Sequence, residues 1–225
     1  MDRKKDTILF DYDGTVADTG PLILASWQHT FLTIYGREGD ESVILRTFGE
    51  PLAQSMQEKF PHVDPEEAMK IYRSYQEKHF HAMIQTFPGT RETMATLKAR
   101  GFALGLVTSR RRSSTEAGLK ALGLAPYIDA VVTNEDTTKA KPDPEPALLA
   151  LAALDARPER AVMVGDTKFD IGCANRAGIT SVLVAWTRSF PPEERKGPFA
   201  PDYVIEKPGD LLPLADSQTA APCEG

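Results

Sequence analysis

The sequence predicts an α/β protein in which a doubly wound parallel sheet carries an inserted all-helical unit. The first observation is that short apolar runs alternate with helical segments between residues 87 and 185, a pattern typical of parallel sheets covered on both faces. The second is that residues 20–83 show helical periodicity and no convincing strand. The chain has 225 residues, 41% of them hydrophobic, which is enough to bury a core of this size.

The first elements are a strand and a helix. Thr7–Phe10 is an apolar run that is too short for a helix and lies between an Asp and an Asp/Gly cluster, so we predict a buried strand. Pro21 is typical of the first turn of a helix. Apolar residues then recur at helical spacing until Gly36, which indicates the helix end.

The remaining elements follow from the same signals. In the helical unit we predict one helix from near Pro51 and another from the N-cap Asp64 to about Gln85. Ser113 and Glu116 have capping-box spacing at a later helix start. The predicted core elements are helices at 90–100, 113–122, 144–154 and 169–177, strands at 102–107, 128–133, 161–165 and 180–185, and an edge strand at 203–205.

These elements divide the chain into two domains. We predict a Rossmann-like α/β core of residues 1–17 and 87–215, a helical domain of residues 18–86, and a disordered tail of residues 216–225, which are small and polar. Hinges are expected at about residues 15–20 and 84–89, where the chain enters and leaves the helical domain.

Composition excludes several function classes. The formal net charge of −6 and the pI near 5.3 argue against general nucleic-acid binding and give no basic face for a membrane. The charged start predicts no signal peptide, and no run approaches the length of a membrane span. Cys173 and Cys223 lack the spacing of a zinc site or a disulfide framework. We therefore expect a cytoplasmic protein without nucleic-acid or membrane partners, present as a monomer or weak homodimer.

Two carboxylates follow the first strand. In an extended backbone residues i and i+2 point to the same side, so Asp11 and Asp13 should face one pocket while Tyr12 faces away. Gly14 supplies the backbone freedom for a sharp turn out of the strand. An ordinary Asp/Gly turn is the alternative for this stretch taken alone.

Polar residues also follow three other predicted strands, where ligands bind in open α/β sheets. Thr108 ends the strand at 102–107, Lys141 follows the strand at 128–133, and Asp166 and Asp170 follow the strand at 161–165. Individually, Thr108 and Asp166 could cap helices and Lys141 could be a surface lysine. As a set, each after a different strand, they favour a site in which an oxygen-ligated cation, Mg²⁺, offsets the clustered carboxylates.

The four segments D-x-D-G-T (residues 11–15), the strand ending at Thr108, K-P-D-P (residues 141–144) and G-D-x-x-x-D (residues 165–170) resemble the four motifs of the haloacid dehalogenase superfamily. The resemblance covers about residues 7–212. A helical insert after the first strand resembles the first type of cap domain in that superfamily. The resemblance therefore implies a capped α/β phosphohydrolase.

The resemblance also implies a role for each residue. Asp11 would be the nucleophile that becomes an aspartyl phosphate, and Asp13 the general acid and then base. Thr108 and Lys141 would stabilise charge on the transferring group. The Mg²⁺ ligands would be the Asp11 carboxylate, the Asp13 backbone carbonyl and Asp166, with Asp170 in support.

Several members of the superfamily remain as alternatives. Asp13 argues against a dehalogenase, which needs no such acid, and Ile23 stands where hexose-phosphate mutases of this cap type carry a His. Stretches such as residues 141–151 and 184–187 resemble the pyrophosphatases linked to HPr serine dephosphorylation, and phosphoglycolate phosphatases share much of this frame. A pyrophosphatase is favoured. The alternatives are a phosphoglycolate phosphatase, a β-phosphoglucomutase-like mutase and a non-catalytic sensor of phosphorylated metabolites.

Four residues are predicted to contact a small phosphorylated metabolite or pyrophosphate. Ser109 and Arg110 follow Thr108, and His29 and Glu50 lie in the helical domain. Arg110, with the next two arginines, could supply positive charge to a second phosphate, although a solvated basic turn explains residues 111 and 112 at least as well. For Trp27 a place in the core is the stronger interpretation.

Overall fold

The computed structural model describes residues 5–216 of the chain. The strands in those residues are β1 (Thr7–Phe10), β2 (Ala17–Asp18), β3 (Gln85–Thr86), β4 (Ala103–Val107), β5 (Ala130–Val132), β6 (Ala161–Gly165), β7 (Thr180–Val184) and β8 (Tyr203–Ile205). The helices are α1 (Gly20–Tyr35), α2 (Glu41–Leu45), α3 (Leu52–Lys59), α4 (Pro65–Met83), α5 (Thr90–Ala99), α6 (Arg112–Ala121), α7 (Glu145–Ala153), α8 (Lys168–Ala177) and α9 (Leu211–Asp216).

Six strands form one sheet in the order β5-β4-β1-β6-β7-β8, and every pair in it is parallel. The predicted α/β fold with a doubly wound parallel sheet is confirmed. Leu9 in the central strand β1 is in register with Gly105 of β4 on one side and Met163 of β6 on the other. Because these three strands end side by side, the residues that follow them meet at one edge of the sheet.

Both faces of the sheet are buried, as the near-continuous apolar strands require. One face, with Ile8 and Phe10 of β1, packs against apolar residues of α5, α6 and α9. The opposite face, with Leu9 and Met163, packs against α7 and α8. Each fully buried aliphatic side chain contributes about 1.5–3 kcal/mol, so this double core fixes the strand ends on which the site depends.

Helices α1 to α4 have a separate apolar cluster, centred on Trp27. The indole is 2% exposed, is stacked on Phe60 with ring centroids 6.2 Å apart, and meets Tyr72 edge-on at 5.6 Å. Trp27 is therefore a core residue of the insert, as its size favours. The longest helix, α4, has 19 residues, and no helix within residues 5–216 is both long and apolar enough to cross a membrane.

The chain enters and leaves the helical insert through a short antiparallel ribbon that the sequence did not predict. In it, β2 pairs with β3, with Ala17 opposite Thr86 and Asp18 opposite Gln85. A two-residue strand is too short to show any hydrophobic period, which explains why the pattern missed it. These strands lie in the segments that were predicted as hinges.

Other local predictions differ from the structure. The capping box of Ser113 and Glu116 is wrong, because α6 begins at Arg112 with Arg111 at the N-cap and no capping side chain. Glu116 instead lies 3.5 Å from Arg112, one helical turn away. The short helices α2 and α9 were not predicted. The predicted disordered tail lies outside the described residues except for Asp216, the last residue of α9.

Candidate active site

The turn after β1 brings Asp11 to the edge of the sheet and close to Asp166. The Asp11 amide donates to the Val164 carbonyl at 2.9 Å, which extends the strand pairing by one residue. Gly14 has φ +73°, a conformation that favours glycine. A Cβ at Gly14 would also collide with the Asp166 carboxylate. The glycine is therefore required by both the turn and the close approach of Asp166.

Lys141 crosses from the loop after β5 to the centre of this edge. Its Nζ donates to Asp11 Oδ1 at 2.7 Å, to Asp170 Oδ1 at 2.6 Å and to the Val107 carbonyl at 3.2 Å. Burial opposes its charge, but the two carboxylates outweigh burial and raise the pKa of Lys141. Its side chain is 4% exposed, so it is a buried cation and not the surface lysine that was the alternative.

Asp11, Asp166 and Asp170 form an acidic group in which one oxygen of each residue lies within 4.8 Å of the others. Burial first, and then the neighbouring carboxylates, raises the pKa of Asp11 to about 7, against the opposite effect of Lys141. Burial also raises the pKa of Asp166 well above its ordinary range. Such a group ionises at neutral pH only with help from a cation.

The residues present fit a divalent cation with oxygen ligands. Asp166 Oδ1 is buried and has no hydrogen-bond partner among the described residues, so an acceptor in this group is free to bind an ion. Asp170 differs, because Oδ1 accepts from Lys141 and Oδ2 accepts from the Thr167 amide and hydroxyl at 3.0 and 2.6 Å. Thr167, not Asp166, caps α8. Asp170 therefore positions Lys141 and Thr167 by these hydrogen bonds.

Asp13 lies apart from the acidic group, held by two donors. The Thr19 hydroxyl donates to Asp13 Oδ1 at 2.6 Å, and Arg110 Nη1 donates to the same oxygen at 2.9 Å. The Arg110 guanidinium lies 5.4 Å from the ring centroids of both Tyr12 and Phe80. Burial opposes its charge, but the negative charge of Asp13 prevails and raises the pKa of Arg110. The two predicted carboxylates therefore have different partners.

Thr108 and Ser109 complete this edge. Thr108 is 5% exposed, continues the sheet pairing through its amide, which donates to the Val132 carbonyl at 2.9 Å, and accepts from the Arg110 amide at 3.2 Å. Ser109 lines the cavity described below. The sequence therefore located the strand-end residues, whereas Thr19, which orients Asp13, was missed because its partner depends on the turn.

A cavity of about 910 Å³ lies between the sheet edge and the helical insert. Asp11, Asp13, Ser109, Arg110, Lys141 and Asp166 line it from the core, and Ile23, Trp27, Glu50, Leu52, Arg73 and Phe80 are among those that line it from the insert. The pocket is at the upper end of the usual range for ligand sites. Glu50 also accepts from the Ser55 hydroxyl at 2.7 Å, which fixes its carboxylate.

His29 does not line this cavity, so the structure does not place it where a contact with substrate was predicted. Ile23 and Trp27 line the cavity from α1 and are four residues apart, on one face of the helix. His29 lies two residues after Trp27, about 200° further around the helix. His29 is exposed, and its ring is tilted by 30° against that of Tyr75, with the ring centroids 4.9 Å apart.

The insert contacts the core at the rim of the cavity. Arg188 pairs with Glu41 at 2.7 Å. Gly49, at φ +85°, lies so close to Phe169 that a Cβ would come within 2.9 Å of the ring.

Within the core, the Trp186 indole donates to the Gly14 carbonyl at 2.9 Å. Trp186 thus ties the β7 end to the turn after β1, a contact that no sequence pattern indicates.

The fold and the site together define a class: an α/β protein in which carboxylates, a lysine and a hydroxyl meet at the ends of parallel strands beneath a helical insert. The chain belongs to the haloacid dehalogenase-like hydrolases, because the family model of that description matches residues 8–184. The resemblance noted from the four motifs is confirmed, and the protein is an enzyme of that family.

Three individual proteins are similar to this chain over most of its length. A protein named pyrophosphatase PpaX from Bacillus mycoides is 36% identical over 217 residues, covering 94% of this chain and 97% of that protein. A haloacid dehalogenase-like hydrolase from Streptococcus pneumoniae superposes with a TM-score of 0.82 at 26% identity, covering 93% and 98% of the two chains. A Lactobacillus plantarum structure, provisionally named a phosphoglycolate phosphatase, gives 0.82 at 25% identity and covers 95% and 100%.

Proposed function

We propose that this protein is a Mg²⁺-dependent phosphatase that hydrolyses pyrophosphate or a small phosphorylated metabolite through an aspartyl phosphate. The observation that carries the proposal is the arrangement of the two aspartates. Asp11 faces the cavity with one oxygen on the buried Lys141, while Asp13 is held separately by Thr19 and Arg110. Two carboxylates with different partners can take different roles, nucleophile and acid/base.

In the first half-reaction, Asp11 Oδ2 attacks phosphorus and the bond to the leaving oxygen breaks. Lys141 holds Oδ1, so Oδ2 is the oxygen available for attack. Asp13 enters this step protonated on Oδ2, the oxygen that Thr19 and Arg110 do not hold, and donates that proton to the leaving group as the bond breaks. In the second half-reaction Asp13 accepts a proton from water, which attacks the aspartyl phosphate and releases inorganic phosphate.

Charge on the transferring group is offset by groups already in place. Lys141 and the Thr108 hydroxyl lie at neighbouring strand ends and would bind phosphoryl oxygens. Asp11, Asp166 and the Asp13 backbone carbonyl would hold Mg²⁺, with Asp170 in support, and when bound this ion would neutralise charge on the phosphoryl oxygens and on the clustered carboxylates.

Pyrophosphate is the favoured substrate because the Bacillus mycoides relative carries the name pyrophosphatase. Phosphoglycolate is the alternative, supported by the name of the Lactobacillus plantarum structure. A phosphomutase is disfavoured by Ile23, which lines the cavity but cannot exchange a proton. A sensor without catalysis is disfavoured by the full set of acid, lysine and hydroxyl groups. We further infer that residues 1–17 with 87–215, and residues 18–86, act as two domains.

Phosphate release by Asp11→Asn is the decisive measurement. The amide is a poor nucleophile, so release of phosphate from pyrophosphate should fall at least about a thousandfold, a loss typical for removing a catalytic nucleophile. Asp155→Asn is the matched control, since this exposed aspartate has φ +50°, which asparagine tolerates. An unchanged rate in Asp11→Asn would overturn the nucleophile assignment. Dependence of wild-type activity on added Mg²⁺, abolished by EDTA, tests the ion.

A further inference from the structure

The cationic side chains around the cavity differ in whether they have a carboxylate partner. Lys141, Arg110 and Arg188 are each in an ion pair, with Asp11 and Asp170, Asp13, and Glu41 respectively. Arg73 and Arg111 also line the cavity. Neither has an ion pair within the part of the chain that the structure describes. The guanidinium groups of Arg73 and Arg111 are therefore available to bind an anion in the cavity.

Arg73 belongs to α4 of the insert and is half-buried. Its Nη2 lies 3.4 Å from the Met69 sulfur, a weak acceptor that does not neutralise a guanidinium. Burial lowers the pKa of Arg73, and the positive charge of Arg111 lowers it further. Glu66 and Glu77 on the same helix act in the opposite direction, without reaching ion-pair distance among the described residues. The strongest neighbouring charge is thus another cation.

Arg111 belongs to the core and lies directly after Arg110, whose guanidinium contacts Asp13. Consecutive Cα atoms are about 3.8 Å apart, so the backbone of Arg111 is one residue from a group that touches the reacting carboxylate. Its carbonyl is used by the Ser114 and Thr115 hydroxyls, and its side chain is exposed to the cavity. This position suits a group that binds the far end of a small substrate.

Arg73 and Arg111 line one cavity, and the positive charge of Arg111 lowers the pKa of Arg73, so the two guanidiniums repel each other. An anion placed between them would replace the repulsion by two charge-assisted contacts, and guanidinium geometry matches phosphate and carboxylate oxygens. Gln76 and Ser113 line the same cavity and can donate to an anion, whereas Glu66 and Glu77, which also line it, would repel one. Acids near the start of α6 contact Arg112 and not Arg111 among the described residues: Glu135 accepts from the Arg112 amide at 2.9 Å, and Asp136 pairs with the Arg112 guanidinium at 2.6 Å.

We propose that Arg73 and Arg111 together bind a second anionic group on the substrate, at the end away from the phosphorus attacked by Asp11. The substrate class is therefore a small compound with two anionic groups, the second being a phosphate or a carboxylate. The inference rests on the proposed phosphatase function and identifies its specificity residues. One arginine comes from the insert and one from the core, so the anion is shared only when the two parts face each other.

The test compares Arg73→Gln, Arg111→Gln and the double variant on three substrates. Pyrophosphate carries a second phosphate, phosphoglycolate a second carboxylate, and p-nitrophenyl phosphate no second anionic group. Each single substitution should raise KM about ten- to a hundredfold for the first or the second substrate, the usual loss for a charge-assisted contact. The p-nitrophenyl phosphate kinetics should change less than about twofold. An equal loss on all three substrates, or no loss on any, would overturn the proposal.

Arg112→Gln is the matched control. Arg112 neighbours Arg111 but pairs with Asp136 at 2.6 Å and does not line the cavity. If Arg112→Gln raises KM as much as Arg111→Gln does, the effect comes from the loss of positive charge in this region and not from a contact with the substrate. That result would count against the proposal. Comparing pyrophosphate with phosphoglycolate shows which second group the pair prefers.

Calorimetry separates this inference from the proposed function. If the wild-type protein releases no phosphate from any substrate, the proposed function fails. The arginines can still be tested by comparing the affinity for methylenediphosphonate, which has two anionic groups, with the affinity for methylphosphonate, which has one. Tighter binding of the diphosphonate by wild type than by the double variant, with no difference for methylphosphonate, supports the pair. Equal affinities in the two proteins, or no diphosphonate binding by wild type, would refute it.

Discussion

Replacing Tyr12 by phenylalanine should make the protein more stable. The residue lies between the two aspartates, faces away from them, and is 0% exposed. Its hydroxyl is buried and has no hydrogen-bond partner among the described residues. Burial raises the pKa of this phenol, so the group remains an unsatisfied donor. Tyr12→Phe removes that donor and leaves the ring in place.

The magnitude follows from the cost of an unpaired buried polar group. That cost is about 1–3 kcal/mol, and losing the contacts of one oxygen returns a few tenths of it, at about 0.1–0.2 kcal/mol per atom pair. The net gain should be about 1–2 kcal/mol. For a chain of this length, each 1 kcal/mol shifts Tm by about 2–4 °C, so Tyr12→Phe should raise Tm by roughly 2–8 °C. Arg110 keeps its contact with the ring, and activity should not fall.

Denaturant unfolding with Mg²⁺ absent measures the gain, and Gly118→Ala sharpens the test. A Cβ at Gly118 would collide with the Tyr12 hydroxyl, and it lies 2.8 Å from the ring carbon behind it. Gly118→Ala should therefore destabilise the wild type more than it destabilises the Tyr12→Phe background. A Tyr12→Phe variant that loses more than about 1 kcal/mol would show that the hydroxyl is hydrogen-bonded and would refute the reasoning.

Two further predictions concern the site and the core. Thr19→Val removes the 2.6 Å hydrogen bond to Asp13, so kcat for phosphate release should fall about tenfold, the equivalent of roughly 1.4 kcal/mol, with little change in KM. The Cys173 thiol is 0% exposed and burial raises its pKa to about 12. At pH 8 only about one molecule in ten thousand carries the thiolate, so iodoacetamide should label Cys173 only after unfolding, as peptide mass spectrometry would show.

Each of these predictions has a contradicting result. Thr33→Val is the control for Thr19→Val, because Thr33 is exposed and donates to the His29 carbonyl within α1. Equal kcat values for Thr19→Val and wild type would show that Asp13 does not need the hydroxyl. Rapid labelling of native protein at Cys173 would mean that α8 opens often enough to admit the reagent.

The sequence predicted the fold and the strand-end residues for one physical reason. In a parallel sheet, residues that follow adjacent strands must meet, so Asp11, Thr108 and Asp166 could be brought together from strand positions alone. Lys141 lies in the long loop after β5, where Lys139 is exposed and pairs with Asp143, so its place in the set of four motifs identified it and not its distance from the strand. Motif order in the chain was enough to identify the family.

Contacts that depend on rotation or on tertiary packing could not be predicted in this way. His29 was misplaced because the rotational phase of α1 is set by packing around Trp27, not by proximity in sequence. The Thr19 contact depends on the turn after β1. The proximity of Arg73 to Arg111 depends on how the insert lies against the core, which no local pattern encodes.

The ribbon of β2 and β3 places the two ends of the helical insert next to each other. Asp18 and Gln85 are hydrogen-bonded neighbours, so the insert leaves and rejoins the core at adjacent points. A short turn between them would close the core chain at little loop-closure cost, because that cost grows only slowly with loop length. Different inserts could likewise be exchanged at this junction without moving the sheet. Such an exchange would replace Arg73 and keep Arg111, so the insert would carry part of the substrate selection while the chemistry stays in the core.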